Sequence, residues 1–147
     1  MNKYHNNKIN VDGITFDSKD EAKYYEALKD KKVKGLIQNF ELQPKFVLQE
    51  SFTKNNKTYK QITYKADFRV YTNEGISYCV DVKGMLTDVF KIKLKLFNKK
   101  FDEELKLVCR NLKYGDEYGF IDFYELQKIR KENRRKKWVI ACYIRRI

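Results

Sequence analysis

Residues 62–84, ITYKADFRVYTNEGISYCVDVKG, decide the fold because they contain two extended stretches joined by a turn. Residues 62–72 and 76–84 are rich in the β-branched and aromatic residues that are typical of strands. Between them, Asn73-Glu74-Gly75 is a turn signal. The sequence therefore predicts an antiparallel hairpin at the centre of the chain.

The alternation of side chains along these two strands predicts which residues share a face. In the first strand, one face is predicted to carry Tyr64, Ala66, Phe68 and Val70, and the other Lys65, Asp67 and Arg69. In the second strand, one face is predicted to carry Tyr78, Val80 and Val82, and the other Cys79, Asp81 and Lys83. Asp81 and Lys83 are then neighbours about 7 Å apart, and pairing of the strands would bring Asp67 to the same side.

A third carboxylate lies upstream, in the predicted helix SKDEAKYYEALKDKK at residues 18–32. Asp17 or Ser18 can cap this helix. Glu21 is in register with the apolar stripe that faces inward, and a carboxylate in that place is costly unless it meets a cation. Glu26 in the same helix is the alternative candidate.

The remaining segments predict an α/β domain, with the element order α-β-β-β-α-β and a mixed sheet flanked by helices. Residues 11–16 are a short strand or hairpin, 36–52 an extended stretch broken at Pro44, and 54–57 a turn. Residues 88–101 favour a helix, although their alternation also suits a strand. A strand is predicted at 105–110, a helix from about Ile121, and a last strand or docked segment at 138–144. The domain spans 1–147, with a flexible N-terminus at 1–10 and a basic C-terminal extension at 128–147.

Composition excludes several kinds of site. His5 is the only histidine, and the three cysteines Cys79, Cys109 and Cys142 are far apart. This pattern argues against a zinc site, a disulfide framework and catalysis by a Cys–His or Ser–His–Asp arrangement. No apolar run is long enough for a membrane span or a signal peptide, so we expect a cytoplasmic protein with no membrane partner.

Charge points to a polyanionic partner. The chain has 32 Lys+Arg and 20 Asp+Glu, a net charge of +12. Residues 128–147 carry nine basic residues and one acidic residue. Candidates for contact with DNA phosphates are Arg134, Arg135, Lys136 and Lys137, and such contacts carry little base information. The alternative is that they only keep the protein soluble. Tyr4, Tyr59 and Tyr114 could stack on unpaired bases, although tyrosines are more often core or rim residues.

The predicted carboxylates suit a hard metal ion. Converging carboxylates of Asp67, Asp81 and Glu21 would offer the oxygen ligands that Mg²⁺ or Mn²⁺ prefers, and the carbonyl of Val82 is a further candidate ligand. Lys83 could orient or deprotonate an attacking water and offset developing negative charge. This set could hydrolyse a phosphodiester bond.

The ordered set of a helix-borne Glu21, Asp67 in KADFRV, and Asp81-Val82-Lys83 in CVDVKG resembles the PD-(D/E)xK nuclease superfamily. FDSKDEAKYYEAL followed by GLIQNFELQPKF is similar to Holliday-junction resolvases and to the nuclease subunit of heteromeric transposases, where a Q-x-P-like strand corresponds to Gln43-Pro44 here. The chain also resembles a small family of bacteriophage-encoded nucleases. The resemblance covers Phe16 to about Phe101, and Ala66 stands in place of the motif's proline.

The resemblance implies a restriction-endonuclease-like core and a Mg²⁺-dependent DNA endonuclease of phage recombination or replication, acting on branched DNA such as Holliday junctions. The resemblance implies catalytic roles for Glu21, Asp67, Asp81 and Lys83, with Gln43 and Lys91 supporting. It also implies a homodimer and a location in the cytoplasm of a bacterial host. The alternatives are a catalytically inactive nucleic-acid-binding module on a nuclease-like fold, and a basic protein that bridges nucleic acid to a partner.

Overall fold

The computed structural model describes the backbone of residues 8–144 and the side chains of residues 8–138. The architecture is α/β, a five-stranded mixed sheet flanked by helices, as predicted, and it is compatible with a restriction-endonuclease-like core. The helices are α1 (Lys19–Val33), α2 (Asp88–Lys100) and α3 (Phe123–Ile144). The strands are β1 (Ile9–Val11), β2 (Ile14–Phe16), β3 (Asn39–Leu42), β4 (Lys45–Gln49), β5 (Phe52–Lys54), β6 (Lys57–Tyr59), β7 (Ile62–Lys65), β8 (Phe68–Tyr71), β9 (Ser77–Val82), β10 (Glu104–Arg110) and β11 (Phe120–Asp122).

The main sheet has the strand order β11-β10-β9-β8-β3. Only β9 and β10 are parallel, and α2 provides the crossover that parallel neighbours require. The predicted hairpin is confirmed: β8 and β9 pair antiparallel, and the turn between them contains Gly75 at a positive φ of 78°. Asp67 and Asp81 therefore lie at the same end of two neighbouring central strands.

The sheet separates two apolar cores. On the α1 side, Val80 and Val82 of β9 pack with residues such as Tyr24 and Leu28 of the helix. On the α2 side, Cys79 of the same strand packs with residues that include Phe90, Phe97, Leu107 and Leu126. The predicted alternation along β9 is thus confirmed, and it places Asp81 on the α2 side.

The predicted alternation before β9 is wrong at one point. Tyr64 and Ala66 belong to the α2-side core, whereas Phe68 and Val70 belong to the α1-side core. The predicted single strand is divided, because β7 pairs with β4 and β8 pairs with β3. The face of the sheet on which alternate side chains lie therefore changes at Asp67, where the chain passes from the β4–β7 ladder to the β3–β8 ladder.

The strand facing this crossover bends in the same place. Gln43 adopts a left-handed φ of 53° immediately before Pro44, so the extended segment is broken there as predicted. The Gln43 N–H donates to the carbonyl of Asp67 at 2.9 Å, and the Ala66 N–H donates to the carbonyl of Pro44 at 3.2 Å. These bonds fix Asp67 at the junction of the two ladders.

Between β3 and β8 the chain forms a β-ribbon of two paired segments, β4 with β7 and β5 with β6. The predicted turn at 54–57 is confirmed, with Asn55 and Asn56 both at positive φ. The base of the ribbon packs on α2 through Phe46, whose ring lies 4.9 Å from that of Phe97 between centroids.

At the ends of the chain the structure differs from the prediction in two places. Ile9 and Asn10, in the segment predicted to be flexible, belong to β1, while residues 1–7 lie outside the described residues. Residues 138–144 continue α3 and form neither a strand nor a separate docked segment. Because no glycine or proline interrupts residues 123–144, nothing ends the helix before its apolar C-terminal part. Within residues 8–144 the structure contains no helix whose length and apolar character would allow it to span a membrane.

Candidate active site

Asp81 lies at the centre of the site and is only 1% exposed. Its Oδ2 atom accepts a hydrogen bond from the hydroxyl of Tyr64. Its Oδ1 atom lies 2.6 Å from Nζ of Lys83, an ion-pair distance, but no donor reaches that oxygen in hydrogen-bonding geometry. A buried carboxylate is costly without partners, so the ion pair with Lys83 and the Tyr64 bond account for its presence in the interior.

Tyr64 is a site residue that the sequence analysis missed. It was assigned to an apolar face, away from the carboxylates, because the alternation was extended through Ala66 to Phe68. In the structure Tyr64 lies on the α2 side of the sheet together with Asp81. Burial, followed by the charge of Asp81, raises the pKa of the Tyr64 hydroxyl. Tyr64 therefore remains a neutral hydrogen-bond donor to Asp81.

Asp67 lies beside Asp81 at the end of the neighbouring strand. Its Oδ2 atom accepts the backbone N–H of Val82 at 2.7 Å, and its own N–H donates to the carbonyl of Val80 at 3.1 Å. Burial and the charges of Asp81 and Glu21 raise the pKa of Asp67 to about 8. The structure thus gathers more negative charge around Asp67 than one lysine offsets.

Lys83 supplies the positive charge of the cluster. Burial lowers the pKa of its ammonium group, but the charges of Asp81, Asp67 and Glu21 together outweigh burial, so the pKa is raised. Its Nζ also lies 5.3 Å from the ring centroid of Phe90. In this arrangement Lys83 carries its proton at neutral pH.

Glu21 both caps helix α1 and contributes negative charge to the site. It forms a capping box at the start of α1: Ser18 Oγ donates to Glu21 Oε1 at 3.0 Å, and the Glu21 N–H donates to Ser18 Oγ at 3.1 Å. Burial raises the pKa of Glu21, and its charge contributes to the raised pKa of Asp67. The alternative, Glu26, pairs with Lys23 at 2.7 Å on the exposed side of the helix. Of the two glutamates, Glu21 is the one near the site.

Glu21, Gln43 and Asp67 line one small cavity of about 70 Å³. Gln43 reaches it because of its left-handed backbone, and its Oε1 atom accepts a hydrogen bond from Lys65 Nζ at 3.2 Å. The structure therefore brings this predicted supporting residue next to Asp67.

A larger open cleft of about 470 Å³ lies on the α2 side of the sheet, and Asp81 is the carboxylate that lines it. It is bounded by Asp81 and Lys83, by β7 and by the beginning of α2, and its further cations are Lys65 and Lys93. Lys91, the predicted supporting lysine, instead contacts Asp88 at 2.9 Å on the surface. Because Lys93 is two positions further along the helix, its side chain lies on the cleft side.

The donor set fits a hard cation, although the side chains are not closed around one. Among the side chains of residues 8–138, no three His, Cys, Asp or Glu residues form a group that could hold a metal ion in their present positions. Asp67 and Asp81 nonetheless offer carboxylate oxygens at adjacent strand ends, the donors that Mg²⁺ prefers, and Asp81 Oδ1 lacks a hydrogen bond. The backbone N–H of Val82 donates to Oδ2 of Asp67, and the Val82 side chain packs in the α1-side core.

The basic residues near the C-terminus lie on α3. Arg134, Arg135, Lys136 and Lys137 are all exposed. The Nε of Arg134 donates to the carbonyl of Arg130 at 3.4 Å, within the helix. Helical periodicity distributes these four charges around the helix, so they can contact a polyanion from more than one side.

The chain matches a known protein family. The model of a family described as "Protein of unknown function (DUF1064)" matches residues 1–116, which include every residue of the carboxylate cluster. No curated protein matches the chain.

Proposed function

This chain belongs to the DUF1064 family, whose description states no function, and we propose from its site that it is a metal-dependent endonuclease that hydrolyses phosphodiester bonds in DNA. The observation that carries the proposal is the pair of aspartates, Asp67 and Asp81, at the ends of adjacent strands with Lys83 on Asp81. The raised pKa of Asp67 supports it, because burial and the charges of Asp81 and Glu21 disfavour the carboxylate, and a bound cation would offset both effects.

In this proposal Asp67 and Asp81 would hold Mg²⁺ or Mn²⁺, with Glu21 close enough to complete the negative site. A bound divalent cation would polarise the phosphate and lower the pKa of a water. Binding of a cation by Asp81 requires Lys83 to leave Oδ1, which frees its ammonium group to contact the attacking water or a phosphate oxygen. Lys83 would then orient the nucleophile and offset the negative charge that develops.

Tyr64 and the cleft have defined roles in the same proposal. The Tyr64 hydroxyl holds Asp81 in one orientation, as partners of metal-binding carboxylates commonly do. The cleft next to Asp81 has room for the scissile part of a nucleic acid, and Lys65 and Lys93 at its walls complement phosphates.

DNA is the proposed substrate because the net charge of +12 and the exposed basic residues on α3 favour a polyanion. The resemblance to junction resolvases and phage nucleases supports branched DNA, a homodimer, and action in recombination or replication in the cytoplasm of a bacterial host. These finer assignments rest on that resemblance.

The test is cleavage of labelled duplex, single-stranded, flap and four-way-junction DNA with Mg²⁺, Mn²⁺ or EDTA. We expect metal-dependent cleavage by the wild type and at least a 100-fold loss in Asp81→Asn and Lys83→Ala. Lys91→Ala is the matched control, because Lys91 contacts only Asp88 at the surface among its ion-pair partners.

Tight DNA binding without cleavage, equal in all four proteins, would overturn the proposal. The chain would then be a nucleic-acid-binding module on a nuclease-like fold. The ion pair between Asp81 and Lys83 is the observation that favours this second function, since in this arrangement Lys83, and not a metal ion, neutralises the charge of Asp81.

A further inference from the structure

The outer part of the β-ribbon is exposed on all sides. Every residue from Glu50 to Gln61 is exposed, and β5 and β6 pair with each other as a separate two-stranded sheet. We refer to residues 52–60 as the hairpin tip. An isolated hairpin of this kind gains little stability from packing, so its side chains are free to serve another purpose.

The two faces of the hairpin tip differ in chemistry. Phe52 is directly opposite Tyr59, and Lys54 is directly opposite Lys57. Because positions i and i+2 share a face, these two pairs lie on the same side of the hairpin. The other side carries Thr53 and Thr58, whose hydroxyl oxygens are 3.1 Å apart.

The aromatic pair on the first face remains open to solvent. The rings of Phe52 and Tyr59 are stacked, with centroids 4.8 Å apart and planes inclined by 10°. Phe52 is 44% exposed and Tyr59 is 41% exposed, and neither belongs to the two apolar cores. Stacking on each other covers only one face of each ring. The outer face of Phe52 is therefore available to a flat partner, and the Tyr59 ring has Lys57 as a neighbour.

The charge beside this aromatic pair is positive. Residues 52–60 contain Lys54, Lys57 and Lys60 and no acidic residue. The Nζ atom of Lys57 lies 5.3 Å from the ring centroid of Tyr59, so cation and ring form one surface. Aromatic rings next to basic groups are the combination with which proteins bind unpaired nucleic-acid strands, through base stacking and phosphate contacts.

We propose that the hairpin tip binds single-stranded DNA, with bases stacked on the Phe52–Tyr59 pair and phosphates on Lys54 and Lys57. In a paired duplex the faces of the bases are covered by neighbouring bases. A duplex could therefore bind Lys54 and Lys57 through its phosphates, but its bases could not stack on Phe52 and Tyr59. The binding itself is independent of catalysis, whereas the choice of DNA over RNA rests on the proposed function.

The position of the hairpin tip along the chain connects it to the cleft. Strand β7 follows directly and supplies Tyr64, which lies five residues after Tyr59 and contacts Asp81. Five residues of extended chain span at most about 17 Å. One DNA molecule can therefore contact both the hairpin tip and the carboxylates, which suits a substrate with an unpaired segment next to the bond that is cut.

The experiment measures binding in EDTA, where no metal-dependent cleavage occurs. A fluorescent 12-nucleotide oligo-dT, the RNA oligo-rU of the same length and a 12-base-pair duplex are titrated with the full-length protein, and anisotropy gives each Kd. For Phe52→Ala/Tyr59→Ala we expect the Kd for oligo-dT to rise at least about 5-fold, because one lost base stack is worth ~1 kcal/mol or more. The Kd for the duplex should change less than 2-fold.

Two further variants test whether oligo-dT binding depends on the lysines beside the aromatic pair and whether it depends on the opposite face of the hairpin tip. Lys54→Ala/Lys57→Ala should weaken oligo-dT binding and lower its salt dependence, by about 0.7 in the logarithmic slope for each lost phosphate contact. Thr53→Ala/Thr58→Ala alters only the opposite face and should leave the Kd unchanged. Circular dichroism of all variants should match the wild type, since the substituted residues are exposed.

Equal oligo-dT binding by the wild type and Phe52→Ala/Tyr59→Ala would overturn the proposal, as would an equal loss of duplex binding in that variant or tighter wild-type binding to oligo-rU than to oligo-dT. An equal loss in Thr53→Ala/Thr58→Ala would also overturn it, because the effect would not belong to the aromatic face. The nuclease proposal fails separately: absence of cleavage together with the expected oligo-dT results would leave the hairpin tip a binding site.

Discussion

The hydroxyl of Tyr64 donates to Oδ2 of Asp81, and this bond joins the β-ribbon to the central strand of the sheet. Tyr64 lies on β7 and Asp81 on β9, 17 residues later, on strands that do not pair with each other. The contact exists because the faces exchange at Asp67. It makes Tyr64 a positioning residue for the proposed site.

The substitution Tyr64→Phe removes this bond and keeps the ring in its packing. We expect a 10- to 100-fold loss of cleavage activity or of Mg²⁺ affinity, the range found when an outer partner of a metal-binding carboxylate is removed. Stability should fall by about 1–3 kcal/mol, because Oδ2 of the buried Asp81 loses its hydrogen-bond donor. Steady-state cleavage at varied Mg²⁺ and urea unfolding measure the two effects.

Tyr124→Phe is the control, since Tyr124 is exposed at the beginning of α3, away from both the site and the hairpin tip. If Tyr64→Phe cleaves at the wild-type rate with an unchanged Mg²⁺ requirement, Tyr64 does not position Asp81 for the reaction.

The raised pKa of Asp67 predicts how stability depends on pH in EDTA. The folded protein holds the Asp67 proton up to a pKa of about 8, whereas the ordinary value in an unfolded chain is 3.8. The folded state therefore binds this proton more tightly, and its contribution is present at low pH and is lost as pH rises from about 4 to about 8. Wild-type stability should decline over this range more steeply than that of Asp67→Asn, as measured by urea unfolding at several pH values.

Asp88→Asn serves as the control for this experiment because Asp88 is an exposed carboxylate paired with Lys91. Its pH profile should follow the wild type. Addition of Mg²⁺ at pH 8 should raise the Tm of the wild type and have little effect on Asp67→Asn. Identical pH profiles for the wild type and Asp67→Asn would show that burial and the neighbouring carboxylates do not raise the pKa of Asp67.

The sequence predicted the central hairpin well because its signals are local. Alternation along β9 and the turn at Asn73–Gly75 depend on adjacent residues, and both were confirmed. The exchange of faces at Asp67 depends on pairing with β3 and β4, which lie 18 to 28 residues before Asp67 along the chain. Alternation within one strand holds no information about that change, so Tyr64 was missed.

A similar limit explains the prediction at residues 138–144. Apolar composition does not distinguish a buried strand from a helix, and the segment is a continuation of α3. The absence of glycine and proline from residue 123 onward was the signal that favoured a continuous helix. In the site itself, Glu21 and Gln43 could be proposed from order along the chain, but their shared cavity with Asp67 depends on the left-handed turn at Gln43.

The two roles of Glu21 can be separated by a pair of variants. Glu21→Gln keeps one side-chain oxygen that can accept the Asp17 N–H, and its NH2 group can donate to Ser18 Oγ. Ser18 Oγ still accepts the backbone N–H of residue 21, so the N-cap survives while the negative charge is lost. Ser18→Ala removes the cap and keeps the charge, and should lower stability by about 1 kcal/mol. If Glu21 acts in the site, Glu21→Gln weakens Mg²⁺-dependent cleavage at least 10-fold with little loss of stability.

Cleavage and urea unfolding of both variants give the answer. A Glu21→Gln protein that cleaves like the wild type would restrict Glu21 to its capping role, whatever the stability of Ser18→Ala.

Phe97 holds the β-ribbon against α2. Its side chain is fully buried, and its ring lies within 6 Å of the rings of Phe46, Tyr64 and Phe101 between centroids. Phe97→Ala should lower the free energy of unfolding by about 3–5 kcal/mol, because it leaves a cavity in the α2-side core. Ile92→Ala on the exposed face of the same helix should change it by less than about 0.5 kcal/mol. Urea denaturation compares the two, and equal effects would contradict this packing.

The basic residues on α3 should act on DNA through charge alone. Replacement of Arg134, Arg135, Lys136 and Lys137 by glutamine removes four exposed positive charges while keeping side chains that favour a helix. Each phosphate contact that is lost should lower the slope of log Kd against log salt by about 0.9 on duplex DNA. The matched control replaces Lys45, Lys95 and Lys99, which are exposed elsewhere, together with Lys91. Since phosphate contacts carry no base information, the loss of affinity should be the same for duplexes of different sequence.

A salt slope that is unchanged by the α3 substitutions, or one that changes equally in the control, would mean that α3 does not bind the DNA.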